Sequence, residues 1–84
     1  MRVLYLYWMK DDPDRVGAIA PRHASYWREL GLPEYVGGPF GDRSGGLITF
    51  EVDSLEQAQT IIAADPFVRE EVLESSVVKQ WTPE

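Results

Sequence analysis

Apolar residues dominate the start of the chain and fall on both sides of a two-residue alternation. Across residues 2–9, RVLYLYWM, one side carries Val3, Tyr5, Tyr7 and Met9, the other Leu4, Leu6 and Trp8. Aromatic, β-branched and leucine side chains at that spacing predict a strand. A strand with one wet face alternates apolar with polar residues, and this one does not. Both faces of its sheet are therefore expected to be covered, one by helices of this chain and one by something else.

Lys10-Asp11-Asp12-Pro13-Asp14 predicts a turn. Residues 14–20 open a helical pattern that Gly17 weakens. Pro21 is expected to interrupt it and to serve as the first-turn residue of a new helix. From Pro21 to Leu30, His23, Tyr26, Trp27 and Leu30 recur at i, i+3, i+4 and i+7, the apolar stripe of an amphipathic helix. Gly31 is a fitting stop.

A second strand is predicted from about Glu34 to Phe40, with Gly37-Gly38-Pro39 implying a bulge or a close backbone approach. Residues 41–46 form a hairpin loop, and Leu47 to Val52 a third strand. Ser54 and Gln57 have capping-box spacing, and Leu55, Ala58, Ile61 and Ile62 form the stripe of the helix that follows. Asp65 before Pro66 is an N-cap and N1 pair for a short helical segment, 66–72. The last strand is predicted from about Glu74 to Trp81.

The order β-α-β-β-α-(short α)-β predicts an α+β fold of the ferredoxin-like βαββαβ kind, a four-stranded antiparallel sheet with its helices on one face. No internal repeat divides the chain, so residues 1–84 read as one domain. The opposite sheet face is left bare, with Tyr5, Tyr7 or their strand neighbours exposed on it. An apolar sheet face marks an interface, and a homodimer packed through that open face is the expected solution.

Composition sharpens this picture. The chain has no cysteine and one histidine, which removes disulfides, thiol chemistry and thiolate metal sites. A domain this small usually gains stability from disulfides, metals or oligomerisation, and oligomerisation is what remains. The absence of cysteine fits a cytoplasmic location. A net charge of −6 repels phosphate backbones, so no nucleic-acid partner is expected. No apolar run approaches the roughly 20 residues of a membrane span, so no membrane partner is expected either. Met1 to Met9 reads as a strand rather than a signal peptide. Three Trp, four Tyr and three Phe need a core, an interface or a pocket. Neither a P-loop, a dinucleotide fingerprint nor a metal-ligand spacing occurs, so no cofactor and no metal are expected.

The candidate chemistry centres on His23, whose side chain type alone titrates near neutral pH without perturbation. Placed at the N-terminal end of a helix beginning at Pro21, its ring would sit where the helix dipole disfavours positive charge. A carboxylate on its far nitrogen would fix the tautomer and stabilise the imidazolium as it forms. Nothing in the spacing selects that carboxylate; Asp65 reads locally as a cap, a role compatible with a second contact because a carboxylate has two oxygens. The plainer alternatives are a histidine bonded to a backbone carbonyl and an aspartate that only caps. Tyr5, Tyr7, Tyr26 and Trp27 are candidates to line a pocket for a flat or aromatic ligand, core or dimer contact being the plainer alternative. Gly37 and Gly38 would allow a ligand near the backbone, a bulge without function being the plainer one there.

Taken together, several segments resemble the YCII-related (YciI-like) family of small dimeric α+β barrel proteins. The matching elements are His23 within PRHASYWREL, Gly37-Gly38-Pro39-Phe40, Gly45-Gly46-Leu47, Asp53-Ser54-Leu55-Glu56-Gln57-Ala58, and Asp65-Pro66-Phe67. The resemblance runs from the first strand to Trp81. It implies a ferredoxin-like subunit, a homodimer, and a candidate active site built on a paired histidine and aspartate. Those map onto His23 and Asp65, with Tyr5, Tyr7, Tyr26, Gly38, Pro39 and Phe67 as pocket candidates. Two departures stand out. Many relatives have a glycine a few residues after Asp-Pro-Phe, where this chain has Glu70-Glu71. Many also carry an arginine about one turn before the histidine, where this chain has Ala20, with Arg22 beside the histidine instead.

Three functions follow for comparison. One is a small cofactor-free enzyme, lyase or isomerase-like, in which His23 moves a proton on a small-molecule ligand. The second is a module that binds such a ligand without turnover. The third is a dimerisation module in which His23 is merely packed.

Overall fold

The computed structural model describes residues 1–84. Strand β1, Arg2–Met9, is followed by helix α1, Pro13–Glu29, then β2, Val36–Pro39, and β3, Gly45–Glu51. Helices α2, Leu55–Ala63, and α3, Pro66–Arg69, lead into β4, Leu73–Gln80. The strands form one antiparallel sheet in the order β2-β3-β1-β4. That is the ferredoxin-like α+β arrangement expected from the element order. No helix is long and apolar enough to cross a membrane.

The alternation in β1 sorts the two sheet faces. Val3, Tyr5 and Tyr7 are buried with Ile48 and Phe50 of β3 beneath Ile19 and Trp27 of α1. Leu4, Leu6 and Trp8 point the other way and are only half-buried. The neighbours of the tyrosines, and not Tyr5 and Tyr7, thus occupy the face that no helix of this chain covers. Of the two readings of Gly37-Gly38-Pro39, the bulge is absent, since Val36–Pro39 pair in unbroken register with Thr49, Ile48, Leu47 and Gly46. The close approach is present at Gly37, where a Cβ would stand 3.0 Å from Ile48 and 3.1 Å from the Tyr35 hydroxyl. The register shift lies at Trp8/Met9 instead. β2 is shorter than expected because Glu34, at φ 57, turns the chain before the strand begins.

Pro21 does not interrupt the first helix. α1 starts at Pro13, capped by Asp12, whose side chain accepts from the Arg15 amide at 3.3 Å, and runs on through Pro21. A proline inside a helix removes one backbone bond and crowds the carbonyl four residues back. Here that residue is Gly17, and both lie on the exposed side. Ile19, His23 and Trp27, at successive i+4 steps, keep one buried face continuous past the missing bond. Packing of that face outweighs the local cost, as tertiary contacts commonly outweigh propensity.

α3 stops three residues earlier than expected. Glu71 takes φ 57, the left-handed C-terminal turn, and the Val72 amide reaches back to the Phe67 carbonyl at 3.2 Å. Glycine adopts that conformation without strain, which a glutamate does not. Glu70 meanwhile joins α3 to α1. Its carboxylate accepts from Arg15 at 3.3 Å and from Arg22 at 3.4 Å, and its carbonyl accepts from Arg15 at 2.9 Å.

Two outcomes follow from these placements. Glu71→Gly relieves the left-handed strain of about 1 kcal/mol, partly offset by a more flexible unfolded chain, so a small net rise in thermal midpoint is expected; a clear fall would contradict the turn. The buried phenols set the alkaline limit. Burial, then the Asp65 charge, then Tyr35, push Tyr7 from 10.0 up to about 12, and Tyr5 is pushed up by burial and Asp65 as well. The folded state holds these protons more tightly than the unfolded state does. Their stabilisation is full below about pH 10 and is lost as pH rises through the folded values, with Tyr7 contributing roughly 2–3 kcal/mol. Urea titrations at about pH 9 and about pH 11.5 check this, a flat stability being the contrary result.

Candidate functional site

Two local features bring the site together. The i+4 spacing of α1 carries His23 and Trp27 down onto the sheet side by side. The Asp-Pro start of α3 fixes Asp65 as N-cap, where its Oδ1 accepts from the Phe67 amide at 2.9 Å. α3 packs on α1, so the cap points at the histidine. Because α1 begins at Pro13, His23 lies well inside the helix and not at its N-terminal end. The dipole expected to act on its ring is therefore not available there, since that effect fades beyond the first turn.

The contacts are specific. His23 Nδ1 stands 2.8 Å from Asp65 Oδ1, and Trp27 Nε1–H donates to Asp65 Oδ2 at 3.0 Å. Asp65 is 0% exposed and accepts from three donors spread over both oxygens. A carboxylate so surrounded is matched as an anion, the condition under which a buried charge is tolerated. A carboxylate can only accept, which assigns the proton to Nδ1 and leaves Nε2 as the acceptor of the neutral ring. The Tyr7 hydroxyl lies 3.3 Å from Nε2. The imidazole also stacks on Phe67, with ring centroids 4.0 Å apart and planes 18° from parallel. His23 is held on one nitrogen, one ring face and, through Tyr7, its other nitrogen.

A cavity of about 1010 Å³ opens beside this group. It lies between α1 and β2, lined by residues of both. Small residues of α1, Gly17, Ala20 and Ala24, form one wall. Of the residues singled out from the sequence, His23, Tyr7, Gly38, Pro39 and Phe67 line the cavity, and Asp65 sits behind the histidine. Tyr5 and Tyr26 do not. Tyr5 is fully buried against Tyr7 and Trp27, its hydroxyl without a partner in the chain. Tyr26 turns to α2 and donates to the Ile61 carbonyl at 2.6 Å.

Sequence reasoning did not find two roles. Trp27 as a donor to Asp65 was foreshadowed only by its i+4 spacing from His23. Tyr7 as the partner of Nε2 depends on the β1–β3 register, which has no local signal. Lys10, Arg28 and Arg43 also border the cavity, together with Asp11 and Asp42, so its rim carries charge of both signs. No three His, Asp or Glu side chains converge as a metal ion would need.

Solved structures share this fold. Among solved structures, 5-chloro-2-hydroxyhydroquinone dehydrochlorinase (TftG) of Burkholderia phenoliruptrix AC1100, in complex with 2,5-dihydroxybenzoquinone, superposes with a TM-score of 0.84 at 19% identity, covering 98% of this chain and 94% of that one. An antibiotic biosynthesis monooxygenase superposes with a TM-score of 0.62 at 13% identity, covering 98% of each. At such identities the likeness is one of fold. The uncharacterized protein YjpA of Bacillus subtilis strain 168 is 46% identical over 44 residues, 52% of this chain; the matched segment spans about half of that relative's length, 51%. The model of the YCII-related domain matches residues 3–82, and the chain belongs to that family.

Proposed function

We propose that this chain is an enzyme that moves a proton on a small molecule, with His23 as general acid–base and Asp65 as the carboxylate that orients it. The observation that carries this reading is the 2.8 Å contact of Asp65 Oδ1 with His23 Nδ1 in a group bordering the cavity. With Nδ1 committed to Asp65, Nε2 takes up the proton. The imidazolium so formed is stabilised by a carboxylate that is already buried and fixed, so little reorganisation accompanies the step.

Lyase or isomerase-like chemistry suits such a site, because elimination and tautomerisation both begin with loss of a proton. The TftG likeness in fold supports elimination by analogy, and its bound dihydroxybenzoquinone supports a flat hydroxylated ring as the ligand class. Phe67, Tyr7 and Tyr35 offer ring surfaces along the cavity for such a ligand. A second reading, binding without turnover, is favoured by one observation: Nε2 already has a partner in Tyr7.

Assays with 5-chloro-2-hydroxyhydroquinone, following chloride release, and titration with 2,5-dihydroxybenzoquinone separate the two. Under the enzymatic reading His23→Gln lowers kcat by about 10²–10⁴ while quinone binding survives. Asp65→Asn also lowers kcat, and destabilises the fold. Turnover equal in wild type and His23→Gln would overturn the role of His23. Tight quinone binding by a wild type that releases no chloride would favour the binding module.

A second copy of the chain as the cover of the other sheet face is also proposed. Leu4, Leu6, Trp8, Leu47 and Val77 present apolar surface there, with Val36 at 64% exposed on its edge. A face of this kind is self-complementary across a two-fold axis. Sedimentation at micromolar concentration is expected to show a dimer, and Leu6→Asp, at the centre of the face, a monomer. A monomeric wild type would exclude this cover.

A further inference from the structure

Tyr7 occupies a position that the pairing of His23 with Asp65 leaves unexplained. Its hydroxyl is 3.3 Å from His23 Nε2, and its ring lines the cavity. With Nδ1–H committed to Asp65, Nε2 is an acceptor and the Tyr7 O–H donates to it. The nitrogen that must exchange protons is therefore capped by a hydroxyl. For His23 to act as a base, that cap must either leave or carry the proton itself.

The surroundings favour carrying. Tyr7 is buried and packs at 6.0 Å against Phe67 and at 5.3 Å against Tyr5, contacts that its ring would lose by swinging away from the histidine. The room its hydroxyl end does occupy is provided by Gly46, its partner across the β1–β3 pair. A Cβ added at Gly46 would overlap the Tyr7 hydroxyl. It would also stand 2.6 Å from the ring carbon Cζ and 2.7 Å from the Gly38 carbonyl oxygen. Directly paired residues project to the same sheet face, so any side chain at 46 competes with the phenol for one space. Gly46 does not have a positive φ, so its requirement is one of volume and not of backbone conformation.

We propose that Tyr7 hands the proton between a ligand in the cavity and His23, and that Gly46 is the positioning residue that makes this possible. The proposal rests on the reading of His23 as the proton carrier. In the forward step the ligand's acidic hydrogen passes to Tyr7 Oη while the hydroxyl proton of Tyr7 passes to His23 Nε2. The bond from ligand to hydrogen and the original Tyr7 O–H bond break; a new Tyr7 O–H bond and an Nε2–H bond form. The ligand is left as its conjugate base, Tyr7 ends neutral, and His23 ends as imidazolium against the Asp65 carboxylate. The reverse transfer returns the proton to the product. Tyr7 stays protonated throughout at neutral pH, since burial and Asp65 hold it up at about 12, so no free phenolate is needed.

The single histidine makes the test direct, because the nitrogen-15 spectrum of the imidazole has one source. In free wild-type protein, Nδ1 is expected protonated and Nε2 to carry the shift of a hydrogen-bond acceptor. Tyr7→Phe, which keeps the ring and the strand pairing, is expected to move Nε2 to the value of an unbonded nitrogen. Gly46→Ala is expected to do the same by displacing the hydroxyl; should that variant fail to fold, Tyr7→Phe carries the test alone. With 5-chloro-2-hydroxyhydroquinone as substrate, Tyr7→Phe is expected to lower kcat at least about tenfold with KM little changed. An Nε2 signal that neither variant moves overturns the proposal. So does a Tyr7→Phe enzyme with full kcat where His23→Gln has none, a result that leaves His23 as the base. A His23→Gln enzyme as active as wild type instead removes the reading beneath it, and the relay with it.

Discussion

The structure turns on one buried charge. Asp65 has no solvent contact, and an unpaired carboxylate there would cost several kcal/mol. It is tolerated because three donors from two elements converge on it: His23 and Trp27 of α1, and the Phe67 amide of α3. The consequence runs in both directions. The donors make the charge bearable, and the charge dictates where the α1 donors sit, because His23 Nδ1–H and the Trp27 indole N–H would be left as unsatisfied buried groups if α3 shifted. One carboxylate thereby sets the docking of α3 on α1, the tautomer of His23 and the placement of the Trp27 indole in the core. The raised position of the Tyr7 phenol also traces in part to it.

Much of this was legible in the chain, and the reasons are physical. Strand alternation and helical spacing report burial, and burial dominates the energy, so β1, α2 and the stripe of α1 were readable from residue order. The Asp-Pro pair is a local signal for a local structure, which is why Asp65 was placed at a helix start. Features that depended on a balance of terms were not legible. Pro21 carries a strong local preference, yet Ile19, His23 and Trp27 bury a face that continues past it. The bulge expected from Gly37-Gly38-Pro39 did not form, because those residues simply follow the register of β3 on an edge strand. The sheet's one irregularity lies in a different pairing, β1 with β4, where Trp8 and Met9 face Ser75 and Leu73 and Glu74 is passed over.

The site divides in the same way. His23 and Asp65 are 42 residues apart and were paired by resemblance to the YCII-related family, not by any spacing rule. Which tyrosine would line the cavity could not be decided by pattern, since Tyr5 and Tyr7 share a face and differ by one strand step. The decision is made across the sheet. Tyr7 faces Gly46, where there is no side chain, whereas Tyr5 faces Ile48 and is enclosed. Sequence exposes which face a residue takes; the partner strand decides what stands opposite.

This has a consequence for how a small domain bears a polar centre. One face of the sheet spends part of its packing on His23, Asp65, two phenols and an open cavity, all of which displace tighter hydrophobic contact. The orphaned Tyr5 hydroxyl adds to that cost. The other face carries Leu4, Leu6, Trp8, Leu47 and Val77 with no helix above them. In a chain of 84 residues there is no second core to make up the difference. The helix-covered face is the one with room for chemistry, and the bare face is the one with apolar surface left to bury. A partner docked on the bare face would supply stability without closing the cavity, because the sheet itself lies between them. The alternation in β1, apolar on both sides, is the sequence form of that division.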